Sequence, residues 1–141
     1  MKKFQGLILA LVVSLPLVAN ARIARDDLEA VIPVVSDAIG RLRACSKFDQ
    51  EGTRYDTAAR DTELALYRYI RASDLVEDSY PDVVAKKAWA GLYMEHSRLL
   101  LSKKTNPEEI EEACNAAEVQ GRQHIVTLLK AIQAHNKGRK K

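Results

Sequence analysis

Apolar residues return at steps of three and four in four separate segments of this chain, and no stretch alternates with strand period for long enough to compete. Helices carrying such stripes must bury them against one another, so the chain is expected to be all-α. The last segment is the most sharply delimited. Asn106 stands at an N-cap position, Pro107 at the first helical position and Glu109 three residues after the cap. Glu108, Glu109, Glu111 and Glu112 oppose the positive end of the helix dipole. From there Ile110, Ala113, Cys114, Ala117, Gly121, His124, Ile125, Leu128 and Ile132 form one stripe, which predicts a helix over about 107–135. Gly121 costs about 1 kcal/mol relative to alanine within a helix, so it marks either a close helix crossing or a simple interior gap.

Three earlier segments complete the set. Leu28, Val31, Ile32, Val35, Ile39 and Leu42 predict a first helix that begins near Asp26 or Asp27 and ends at Cys45. Pro33 removes one backbone donor, so a kink there, or a start at Pro33 itself, is expected. A polar loop follows from Lys47 to Tyr55. Asp56 or Thr57 then caps a second helix with Ala58, Thr62, Ala65, Leu66, Tyr69 and Ile70 inward and Arg60, Arg68 and Arg71 outward. Ser73 to Ser79 reads as a connection, and Ser79, Pro81 and Asp82 open a third helix reaching about Ser102. Four helices with short connections fold most readily as a single-domain, mostly antiparallel four-helix bundle.

The N-terminus sets the compartment. Lys2 and Lys3 precede the apolar run Leu7 to Val18, and Ala19-Asn20-Ala21 supplies small residues for cleavage, so residues 1–21 read as a signal peptide. The run falls short of the roughly 20 residues that span a bilayer. The helical domain is then expected over 22–136, with 137–141 a basic flexible tail, in a periplasmic or secreted location. Cys45 and Cys114 are the two cysteines, which after export leave a single intramolecular pairing. That disulfide would contribute roughly 4 kcal/mol in the chain-entropy model. Two buried thiols or an intermolecular bridge are the alternatives.

Charge and motifs narrow the function. Of the 22 basic side chains, Lys2 and Lys3 belong to the leader, so 20 remain against 19 acidic ones, a net charge of +1. With the two signs interspersed, nucleic acid is not an expected partner. His96, His124 and His135 show no metal-ligand spacing, and neither a nucleophile elbow nor a phosphate-cradling glycine loop is present. No enzyme activity, metal or cofactor is therefore expected.

The third segment carries more apolar surface than one neighbour would cover. Gly91, Val84, Ala88, Leu99, Leu92, Ala85, His96, Trp89, Leu100 and Tyr93 span roughly half its circumference, with Lys86, Lys87, Arg98 and Ser97 on the remainder. Such an arc is either wrapped by several helices or offered to a partner. Trp89 and Tyr93, with Tyr67, Arg68 and Arg71 of the second helix, are the side-chain types that dominate binding hot spots and are the candidate partner-binding residues. Tyr55 and Tyr80 lie in or beside connections, where exposure is also expected.

In layout the chain resembles two groups of small exported helical proteins with one disulfide. It is similar to the periplasmic immunity proteins that neutralise type VI secretion amidases in its leader, in Cys45 near the end of an early helix, and in Cys114 late in the chain. Tyr80 and the helix Val83 to Leu101 lie between them. It also resembles helical pilotins in Leu42-Arg43-Ala44-Cys45 and the late helix bearing Cys114, but no cysteine follows the leader, so no lipid anchor and no stable membrane attachment are expected. The resemblance implies a protein-binding module that inhibits a toxic enzyme, or else a periplasmic chaperone or secretion-assembly factor. A small enzyme or metal carrier is the remaining alternative. The partner would be a protein, with a second copy of this chain among the possibilities.

Overall fold

A computed structural model describes residues 22–48, 53–73, 75, 94–104 and 106–139. Its long helices are α1 (Arg25–Ser46), α2 (Arg54–Ala72) and α4 (Pro107–Arg139), and residues 94–102 form helix α3. The fold is all-α. Trp89, Tyr93, Tyr80, the expected leader and the expected start of the third helix lie outside the described residues.

α1 begins at Arg25, where the Ala24 N–H donates to Asp27 Oδ2 at 2.8 Å. It continues through Pro33, so a start at that residue is ruled out. The proline deprives the Glu29 carbonyl of its helical donor, and Glu29 is exposed, so water can take that bond. α2 starts earlier than either expected cap, with Thr53 before it and Asp56 in its first turn. Tertiary contacts account for the extra turn. Tyr55 is buried and its hydroxyl donates to Asn115 Oδ1 at 3.0 Å, while the Arg54 guanidinium bonds Glu118 at 2.7 Å. Tyr55 is thus a packing residue rather than an exposed loop aromatic.

α4 opens as its sequence requires, the Glu108 N–H donating to Asn106 Oδ1 at 2.9 Å. It then runs to Arg139, so Lys137, Gly138 and Arg139 are helical rather than part of a flexible tail. His135 supplies a reason. It is buried, and its Nδ1 accepts the Ile23 backbone N–H at 3.0 Å across 112 positions, with Ile23 itself in the core. Both ends of the described chain are therefore fastened together. Replacing His135 with Phe keeps the volume but strands a buried donor, which costs about 1–3 kcal/mol. Denaturant titration should show that loss, together with faster amide exchange at Ile23.

Direction follows from the cross-links. Cys45 is bonded to Cys114 and Ile23 to His135, so α1 runs antiparallel to α4. Arg54–Glu118 and Asp61–Arg122 pair in ascending order, so α2 runs parallel to α4 and antiparallel to α1. An Arg43–Glu63 ion pair joins α1 to α2. These pairs are half exposed and contribute little energy, but they hold the register.

The core has two parts. One gathers Leu28, Val31, Ile32, Val35, Ile39, Leu66, Tyr69, Ile70 and Leu128 at the Ile23–His135 end. The other surrounds the disulfide with Leu42, Tyr55, Ala58, Ala59, Leu101 and Ala117. The Cα atoms of Cys45 and Cys114 are 5.7 Å apart, and the bridge spans 69 positions. Gly121 is the close crossing. A Cβ there would stand 2.9 Å from Leu42 Cδ1 on α1 and 3.1 Å from Thr62 Oγ1 on α2. The absence of a side chain at this position lets three helices come this close without displacing Leu42.

α3 turns a different side inward from the one its pattern suggested. Ser97 and Leu101 are buried, whereas His96, Leu99 and Leu100 are exposed. Leu101 and Met94 pack on the disulfide cluster, and Ser97, one turn before Leu101, is small enough to lie on that side with them. No described helix is long and apolar enough to cross a membrane.

Candidate functional site

Two surface features carry chemistry. The first is the outer face of α2, whose inner face is fully committed through Tyr55, Ala58, Ala59, Thr62, Ala65, Leu66, Tyr69 and Ile70. Positions 60, 64, 67, 68 and 71 then fall within roughly 100° of helix circumference on the opposite side. Leu64 is 49% exposed and Tyr67 is 41% exposed, too much for either to belong to the core. The Arg71 guanidinium lies 5.8 Å from the Tyr67 ring centroid, within cation–π reach. Arg60 pairs with Asp56 at 3.2 Å at the N-terminal end of the stripe. Tyr67, Arg68 and Arg71 are all outward, and Tyr67 and Arg71 are in contact.

The second feature is a cleft of about 240 Å³ between α1, α3 and the start of α4. Leu100, Leu101, Ala113, Ala117 and Cys45 supply its apolar lining, and Asp37, Arg41, His96, Ser97 and Lys104 its polar one. Asp37 and Arg41 are one helical turn apart and paired, with Nε to Oδ1 at 3.2 Å and Nη2 to Oδ2 at 3.0 Å. No α2 residue lines it, so it is separate from the stripe. Sequence reasoning missed this cleft because its residues come from three segments. The Asp37/Arg41 spacing and the Lys103-Lys104 pair after α3 were the only local signals, and each alone describes an ordinary solvated helix surface.

The histidines divide by environment. His96 is exposed and borders the cleft, whereas His124 and His135 are buried. Among the described residues, no three His, Cys, Asp or Glu side chains gather where a metal ion could be held. Among the described residues, neither ring nitrogen of His124 has a hydrogen-bond partner, and Ser36 Oγ and the Tyr69 hydroxyl are likewise buried without one. Burial pushes the His124 imidazole below its ordinary value, outweighing the opposing Asp37 carboxylate. Burial likewise raises the Tyr69 phenol far above its usual range, with Asp27 adding to the shift, so it stays neutral.

His124 therefore makes stability depend on acid. Its folded-state value lies below the unfolded one, so the unfolded chain takes up the proton first as pH falls through about 6.5. Stability contributed at neutral pH is lost below that point. His124→Leu should abolish this component: between about pH 7.5 and 5.5 the wild type should lose more stability than the variant in urea titrations. Equal losses would assign the acid sensitivity to other groups.

No family model matches this chain, and no curated protein or solved structure matches it.

Proposed function

We propose that the chain is an exported protein-binding module, of the kind that inhibits or confers immunity to a toxic enzyme by covering it, and that it is not itself an enzyme. The observation that carries this reading is the α2 stripe: Leu64 and Tyr67 stand exposed beside Arg68 and Arg71 on a helix whose other face is wholly buried. Exposed aromatic and guanidinium groups on a rigid element lose little conformational entropy on docking, which is why such residues concentrate binding energy. The disulfide between α1 and α4 fits an oxidising compartment and stiffens the platform.

The test is recovery of a stoichiometric protein partner from the periplasm, followed by Tyr67→Ala with Arg71→Glu. Those exposed changes should leave the melting curve within about 0.5 kcal/mol of wild type and abolish partner retention. Retention unchanged by the double substitution removes the stripe from the interface, and a native mass showing only copies of this chain replaces the foreign partner with a homodimer.

A chaperone or assembly role is the second reading. It is favoured by Val119, Val126 and Leu129, exposed on α4 away from its buried stripe, since several separate apolar faces suit several clients. Failure to suppress aggregation of unrelated unfolded proteins would eliminate its general form.

A further inference from the structure

We propose that the cleft between α1, α3 and α4 binds a carboxylate carried on a single apolar group about the size of a leucine side chain. Its volume of about 240 Å³ lies below the roughly 300–1,000 Å³ of pockets that hold drug-sized ligands, so it suits a small ligand or one end of a larger one. Leu100, Leu101, Ala113 and Ala117 give the apolar part of a ligand a surface on which to lose its water.

The polar groups select its charge. Asp37 is the one carboxylate among the described lining residues, and it is already engaged by Arg41. That engagement uses Nε and Nη2, which fixes the guanidinium plane and leaves the Nη1 edge able to donate to a second anion. Lys104 borders the same cleft, and its ammonium makes no hydrogen bond or ion pair among the described residues. Arg41 and Lys104 against Asp37 leave one net positive charge among these groups. A cationic ligand would meet two fixed positive charges and a carboxylate already occupied. An anion with an apolar body meets complementary groups at both ends.

Two sources share this chemistry: a free branched-chain or aromatic acid, and the terminal carboxylate of a partner's chain. The protein, expressed with its leader, purified after export and kept oxidised, is titrated by NMR with 4-methylpentanoate, with 3-methylbutylamine, and with an acetylated tetrapeptide ending in leucine, as free acid and as amide. The acid should shift the amides of Arg41, Leu100, Leu101 and Lys104, and the amine should not. A peptide acid binding more tightly than 4-methylpentanoate, with the peptide amide inert, assigns a chain terminus; the reverse order assigns a free acid. Lys104→Glu, an exposed change, should leave the melting curve unaltered and weaken the acid about fivefold or more. The inference is overturned if the acid leaves these amides unmoved, if the amine binds as well as the acid, or if Lys104→Glu binds the acid like wild type. Because the α2 stripe contributes nothing to the cleft, Tyr67→Ala with Arg71→Glu should leave acid binding intact, so the cleft and the proposed docking face stand or fall separately.

Discussion

Reducing the Cys45–Cys114 bond should lower the stability of the fold by roughly 4 kcal/mol, because the bridge closes a loop of 69 positions whose freedom the unfolded chain otherwise recovers. A domain of this size holds about 5–15 kcal/mol in total, so the loss is a large share of it. The effect should be uneven along the chain. The disulfide sits among Leu42, Tyr55, Ala58, Leu101 and Ala117, whereas the opposite end keeps Ile23–His135 and its own cluster. Amide protection should accordingly fall most in α3 and the first turns of α4. Guanidinium titrations of the oxidised and reduced protein, with Cys45→Ala/Cys114→Ala as a control that lacks thiols, measure the difference. Coincident midpoints would show that the packed interface alone holds these elements.

Enlarging Gly121 should be nearly as damaging. A first carbon already stands 2.9 Å from Leu42 and 3.1 Å from Thr62, both fully buried. For Gly121→Ala, an overpacking cost of about 1–3 kcal/mol is partly offset by about 1 kcal/mol of helix propensity, so the net loss is small. Gly121→Leu gains nearly the same propensity but adds far more volume. Its branch must displace α1 from α4, and a loss on the order of 3 kcal/mol or more is expected. Adding Leu42→Ala should recover part of it, since the clash is with that side chain, and a double-mutant cycle reads the coupling directly. Strict additivity of the two changes would place the strain elsewhere.

The inward faces were legible because each depends on spacing within one helix. Leu28 through Leu42 and Ala58 through Ile70 are buried as their periods require. The Asn106-Pro107 start was equally plain, since a cap is a local bond between a side chain and a nearby amide. Boundaries failed where distant residues intervened. α2 begins before its best capping residues because Tyr55 and Arg54 find Asn115 and Glu118 on α4, and α4 outlasts its apolar stripe where His135 meets Ile23.

The candidate sites divide the same way. Tyr67, Arg68 and Arg71 share an outer face by helical geometry alone, so their outward placement could be read from position. The cleft could not, because Asp37, His96 and Lys104 belong to segments whose meeting depends on how α3 rolls onto α1 and α4. That roll buried Ser97 and exposed Leu99 and Leu100, contrary to the helix's own pattern. An apolar arc wider than one neighbour can cover leaves the choice of buried side to the surface it meets.

By itself, the chain's sequence determined the helical class, the buried stripes and the outward face of α2, since these follow from local periodicity, while the bond between its two cysteines was settled only by the fold that brings them together. The tertiary structure alone decided the parallel pairing of α2 with α4, the close crossing at Gly121, the latch between Ile23 and His135, and the cleft. Each of these is a contact between residues far apart in the chain, and its energy exists only after the helices have packed.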